Sequence, residues 1–101
     1  MTRSGAANQL VLTACITELA ALRFTPAGLP AVDLRLEHES TLEEAGQTRQ
    51  VKAVLKAVAF GSVAERLARQ ALGSQWLLRG FLATPRNAKH PVFHVTEFQQ
   101  D

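Results

Sequence analysis

AVDLRLEH, residues 31–38, is the stretch from which the fold is read. Val32, Leu34 and Leu36 share one parity, while Asp33, Arg35 and Glu37 share the other. Successive side chains of a strand point to opposite faces, so this alternation describes a ribbon with one face in a core and one in water. The same period recurs upstream. In Asn8–Glu18, Leu10, Leu12, Ala14 and Ile16 alternate with Val11, Thr13, Cys15 and Thr17. Both faces of that strand are fairly apolar, which leaves the second one suited to a partner chain. TPAGLP, residues 25–30, separates the two strands as a turn: Pro26 fixes φ and Gly28 tolerates a positive one.

Downstream, residues 39–48 are polar and acidic around Gly46, and are expected to form a loop. Arg49–Phe60 carries alanines that suit a helix. Its valines, and the outward pair Lys52 and Lys56, fit period two better, so a third strand is predicted. Ser62, Val63, Ala64 and Glu65 then have the form of a capping box at the start of a short helix. Val63, Leu67 and Ala71 are its expected buried stripe, and Gly73 its expected left-handed close. Gln75–Ala83 and Val92–Gln99 read as the fourth and fifth strands, joined by the loop Thr84–Pro91. Three strands, a helix and two strands make an all-β chain. In a five-stranded Greek-key barrel of the OB type the helix falls between strands 3 and 4. That barrel is the expected fold, as one domain over residues 8–101, with residues 1–7 expected to fray.

Size and composition agree with this. A chain of 101 residues holds one core, and 47% hydrophobic with 20% charged residues suits a soluble globular protein. One cysteine, Cys15, rules out an intrachain disulfide. Residues 1–7 lead into no apolar targeting segment, and no run approaches the ~20 apolar residues of a membrane span; the expected location is the cytoplasm.

Chemistry is sparse. Asp33, His38 and Ser40 have the residue types of a catalytic triad, but Asp33 points to the opposite face from the other two. His90 and His94 flank Pro91 and enter a strand, so roughly 13 Å separates them and no third metal ligand is evident. Glu43 and Glu44 lie in a polar segment with nothing to desolvate them. Neither an enzyme nor a cofactor is expected.

Charge is more informative. Net charge is only +2, yet residues 49–89 hold eight basic residues against Glu65 alone, a distribution that builds a positive face for a polyanion. The OB barrel binds oligonucleotides on the face of its second and third strands and on its 1–2 and 4–5 loops. Arg35, Lys52 and Lys56 fall on that face, Arg23 precedes the first loop, and Arg86 and Lys89 lie on the other. These six are the candidate nucleic-acid-binding residues. Stacking platforms are few: Trp76, Phe81, Phe93 and Phe98 are assigned to the core, leaving Phe24 and Phe60 at element ends.

One resemblance gathers these features. Asn8-x-Leu10-Val11-Leu12, Gly28-x-Pro30, Leu36-Glu37-His38-x-Ser40, Glu44-Ala45-Gly46-x-x-Arg49-Gln50, Gly80-Phe81 and His94 resemble the PriB family, primosomal replication protein N of bacterial replication restart. The resemblance covers most of the chain and is densest before Gln50. It implies an OB-fold homodimer that binds single-stranded DNA and docks onto the primosomal helicase. It also implies basic DNA contacts at Arg23 and, approximately, at Arg86 and Lys89. The family's two stacking aromatics correspond here to Gln47 and Lys52, and one of its arginines to Glu39. These departures favour weak, salt-dependent, sequence-independent binding, or a protein–protein adaptor whose DNA contact is incidental.

Overall fold

The computed structural model describes residues 5–100. Of the segment expected to fray, Met1–Ser4 lie outside the described residues, and residues 5–7 are exposed without regular structure. The elements are β1 (Leu10–Leu19), β2 (Arg23–Phe24), β3 (Pro30–Glu44), β4 (Gln47–Phe60), α1 (Ser62–Leu67), β5 (Gln75–Ala83) and β6 (Val92–Gln99).

Alternation alone leaves a sheet open; closure depends on β1. Its first half, from Leu10 to Cys15, pairs with β5, and from Cys15 it pairs with β3 instead. A register shift between Ile16 and Glu18 bends the strand between these two neighbours. The ring then runs β1-β5-β6-β4-β3 and back to β1. Every pair is antiparallel except β4 with β6. A parallel pair needs a long crossover, and α1 with β5 supplies it. The five long strands form the expected barrel, with α1 between the third and fourth of them. The two-residue β2, not foreseen, lies outside this ring and pairs Arg23 and Phe24 with Ala31 and Pro30 at the start of β3.

Ile16, Val32, Leu36, Leu78 and Phe93 fill the interior and are fully buried. Each such side chain contributes about 1.5–3 kcal/mol relative to exposure. Helix α1 packs against β3, β4 and β6, sealing the core with Ala64 and Leu67. Its details correct the sequence reading. Gly61 is the N-cap, with no side-chain cap bond, and the Glu65 amide donates to the Gly61 carbonyl, so the Ser62–Glu65 box does not form. The helix ends at Leu67, leaving Ala71 exposed beyond it. Gly73 does adopt a positive φ, of 84°, but in the following turn, where its amide donates to the Ile16 carbonyl at 2.7 Å.

The largest correction concerns residues 39–48. They are not a loop: β3 and β4 continue in register to Glu44 and Gln47, so only Ala45 and Gly46 turn the chain. Both have positive φ, 53° and 77°, the geometry of a two-residue type I′ hairpin. The result is a long arm whose residues 41–50 are all exposed.

Candidate nucleic-acid interface

The pairing of β3 with β4 sets the outer face row by row. From the base of the ribbon toward its tip the facing pairs are Asp33 with Val58, Arg35 with Lys56, Glu37 with Val54, and Glu39 with Lys52. Like charges set directly opposite each other, as in Arg35 and Lys56, oppose strand pairing. Glu18 on β1 offsets this, with a carboxylate oxygen 3.3 Å from Arg35 Nε. The long loop from Thr84 to Pro91 folds over the same end. Its Ala88 amide donates to the Pro85 carbonyl at 3.1 Å, which places Arg86 at the apex of a turn, with Lys89 just beyond.

Between loop and ribbon runs a groove of about 640 Å³, lined by Arg35, Lys56, Lys89, His90, Pro85 and Val92, among others. Past Pro85 and Val92 it continues into a second groove of about 440 Å³ that reaches Phe60, His94 and Arg23. Of the six candidates, then, Arg35, Lys56 and Lys89 meet at one groove, Arg86 is at the apex of the loop that lines it, and Arg23 borders its extension. Lys52 is farther along the ribbon, in a separate groove with Cys15 and His38.

The six differ in availability. Arg23 forks onto Asp33, with Nε 2.7 Å and Nη2 3.2 Å from its two carboxylate oxygens. That hydrogen bond, and then the charge of Asp33, hold the guanidinium pKa above its ordinary range. Arg35 leans on Glu18, and Lys52 on Glu39 at 3.4 Å. All three pairs are solvent-exposed, so each is worth about 0–1 kcal/mol and yields readily to a phosphate. No ion pair engages Lys56, Arg86 or Lys89 among the described residues.

The aromatic residues do not sort as the sequence suggests. Phe93 is core, and Trp76 and Phe98 meet edge to face at 5.0 Å, half-buried. Phe81 is not core: it is 37% exposed, on the outer face of β5. Its ring stacks on His94, with centroids 4.8 Å apart and planes within 16°, and the Phe60 ring centroid lies 5.8 Å from that of His94. Phe24, on β2, is 64% exposed. Parity could have found Phe81, since it shares the phase of Arg79 and opposes that of the buried Leu78.

His38 and Ser40 do touch, Nε2 to Oγ, at 2.8 Å. The other ring nitrogen lies 2.6 Å from the Thr13 carbonyl, which can only accept, so Nδ1 carries the proton. Asp33 is on the opposite face and engaged with Arg23. The histidine thereby ties β3 to β1.

Comparison with known proteins identifies the family. A family model described as "Another single-strand binding protein family" matches residues 8–97. The replication restart protein PriB of Bordetella pertussis is 48% identical over 79 residues, which cover 78% of this chain and 74% of that protein. The chain belongs to the PriB family. The PriB structure from Ralstonia solanacearum superposes with a TM-score of 0.86 at 37% identity, covering 94% of this chain and 98% of that one. The single-stranded DNA binding protein from Thermus aquaticus shares the fold, with a TM-score of 0.74 at 23% identity over 92% of this chain and 49% of that one. In this fold the groove lies between β3, β4 and the 84–91 loop.

Proposed function

We propose that this chain is a single-stranded-DNA-binding accessory protein of replication restart, acting as a homodimer that docks with the primosomal helicase. The observation that carries the DNA reading is the meeting of Arg35, Lys56 and Lys89 at one groove beneath a loop bearing Arg86. Phosphates in that groove are neutralised without any base being read, so binding is independent of sequence. The homodimer reading is supported by the second face of β1, where Val11 is 43% exposed beside the half-buried Thr13, Cys15 and Thr17. A second copy covering that face would add apolar burial to a domain too small to bury much by itself. Sedimentation is expected to give the mass of two chains; a single-chain mass contradicts it.

Anisotropy of a labelled single-stranded oligonucleotide, titrated at several salt concentrations, tests the DNA reading. Three unpaired cations correspond to a slope of log K on log salt of roughly −2 per protomer, and all six to roughly −4. Absence of binding at low salt overturns this reading. It would favour the alternative, an adaptor between primosome proteins with incidental DNA contact. That alternative draws on the distal arm, where Arg49 pairs with Glu44 and Lys52 with Glu39, ion pairs that a phosphate would have to displace.

A further inference from the structure

The outer face carries one feature that phosphate binding does not use. Phe60 on β4, His94 on β6 and Phe81 on β5 lie side by side across three neighbouring strands, because Val58 pairs with His94 and His94 with Phe81. Their rings form a column, nearly parallel at one contact and tilted by 31° at the other. Rings recruited for stability alone belong inside, as Phe93 does next to His94, with no exposed surface. Both ends of this column, Phe60 and Phe81, instead keep 37% of their surface in water.

The backbone is adapted to hold the column there. Strand β6 bulges toward β5 between the pairs Arg79–Glu97 and Gly80–Val95. A Cβ on Gly80 would lie 1.7 Å from the His94 carbonyl oxygen, so this close approach requires glycine. The column is also continuous with the cationic groove: Phe60 and His94 line its extension together with Arg23 and Pro85. A polyanion held at Lys56 and Lys89 is thus led toward exposed π faces.

We propose that Phe60, His94 and Phe81 form a stacking column for unpaired nucleobases. This rests on the single-stranded DNA reading above. A base laid on a free ring face extends the column and hides apolar surface, while its phosphates remain with the groove cations. Every base has a π face, so such a platform is indifferent to sequence.

The test compares an oligo-dT strand with an abasic strand of the same length and charge, at fixed salt, on the wild-type protein and on Phe60→Leu/Phe81→Leu. The leucines keep apolar volume and remove the π faces. Wild-type protein is expected to bind oligo-dT more tightly than the abasic strand. Each phenylalanine removed is expected to weaken oligo-dT binding at least about fivefold, with abasic binding and the salt slope unchanged. Equal wild-type affinity for the two strands overturns the column while leaving the charge-based reading intact, and needs no variant to fold. Unchanged oligo-dT binding by the folded double variant also overturns it. Failure of wild-type protein to bind either strand overturns both readings together.

Discussion

The β3–β4 ribbon has two ends built on different physics. At its base, Arg35 and Lys56 face each other in a like-charge pair, the loop with Arg86 and Lys89 forms a groove with them, and the inner face is closed by Leu34, Leu36 and Ala57. At its tip, from Thr41 to Gln50, both faces are in water, and Arg49 is neutralised across the turn by Glu44. At the base Glu18 offsets Arg35, but Lys56, Arg86 and Lys89 have no ion pair among the described residues; the tip pairs its own cations. On the proposed reading, the hairpin offers a polyanion one receptive end, its base.

The two ends also depend on glycine for opposite reasons. Gly80 beneath the base lacks space for a Cβ, since the atom it would strike is the backbone oxygen of His94. Gly46 at the tip has open space around it but a φ of 77°. Gly80→Ala is expected to cost about 3 kcal/mol or more, through overpacking that forces β5 and β6 apart. Gly46→Ala is expected to cost only about 1–2 kcal/mol, as left-handed strain. Denaturant melts of both variants check the order, and equal losses would show that the base is no more tightly determined than the tip.

What the sequence discloses follows the same division. Strands at the base announce themselves, because burial of one face imposes period two; Ala31–His38 is the plainest case, and the bounds of β5 and β6 can be read directly. At the tip no face is buried, so residues 39–48 alternate nothing and read as loop. The turn is hidden too: type I′ turns usually signal themselves with Asn-Gly or Asp-Gly, and here Ala45 takes the first positive φ. The helix is mistaken in a related way. Ser62 and Glu65 have the spacing of a capping box, but Gly61, whose amide donates to the Pro30 carbonyl at 2.9 Å, starts the helix one residue earlier. Tertiary pairing outweighs the local cap.

Among the candidate contacts, parity places Arg35, Lys52 and Lys56 on the outer face. It does not tell that Glu39 holds Lys52, or that Asp33 holds Arg23 across the β2–β3 turn. Nor does it bring Lys89 over Lys56, which depends on how the 84–91 loop folds. The triad residue types fail for a reason the sequence does contain: Asp33 and His38 differ in parity, and a strand keeps them on opposite faces.

If DNA is held at the base and not at the tip, paired salt titrations of two variants will separate the two ends. In Lys56→Ala/Arg86→Ala/Lys89→Ala, the slope of log K on log salt for a single-stranded oligonucleotide is expected to become shallower by roughly 2, with a loss of affinity of one to two orders of magnitude or so at low salt. In Arg49→Ala/Lys52→Ala the slope is expected to change by less than about 0.7, the worth of one phosphate contact. The reverse pattern, a flattened slope in the tip variant and an unchanged one in the base variant, would place the DNA at the tip instead.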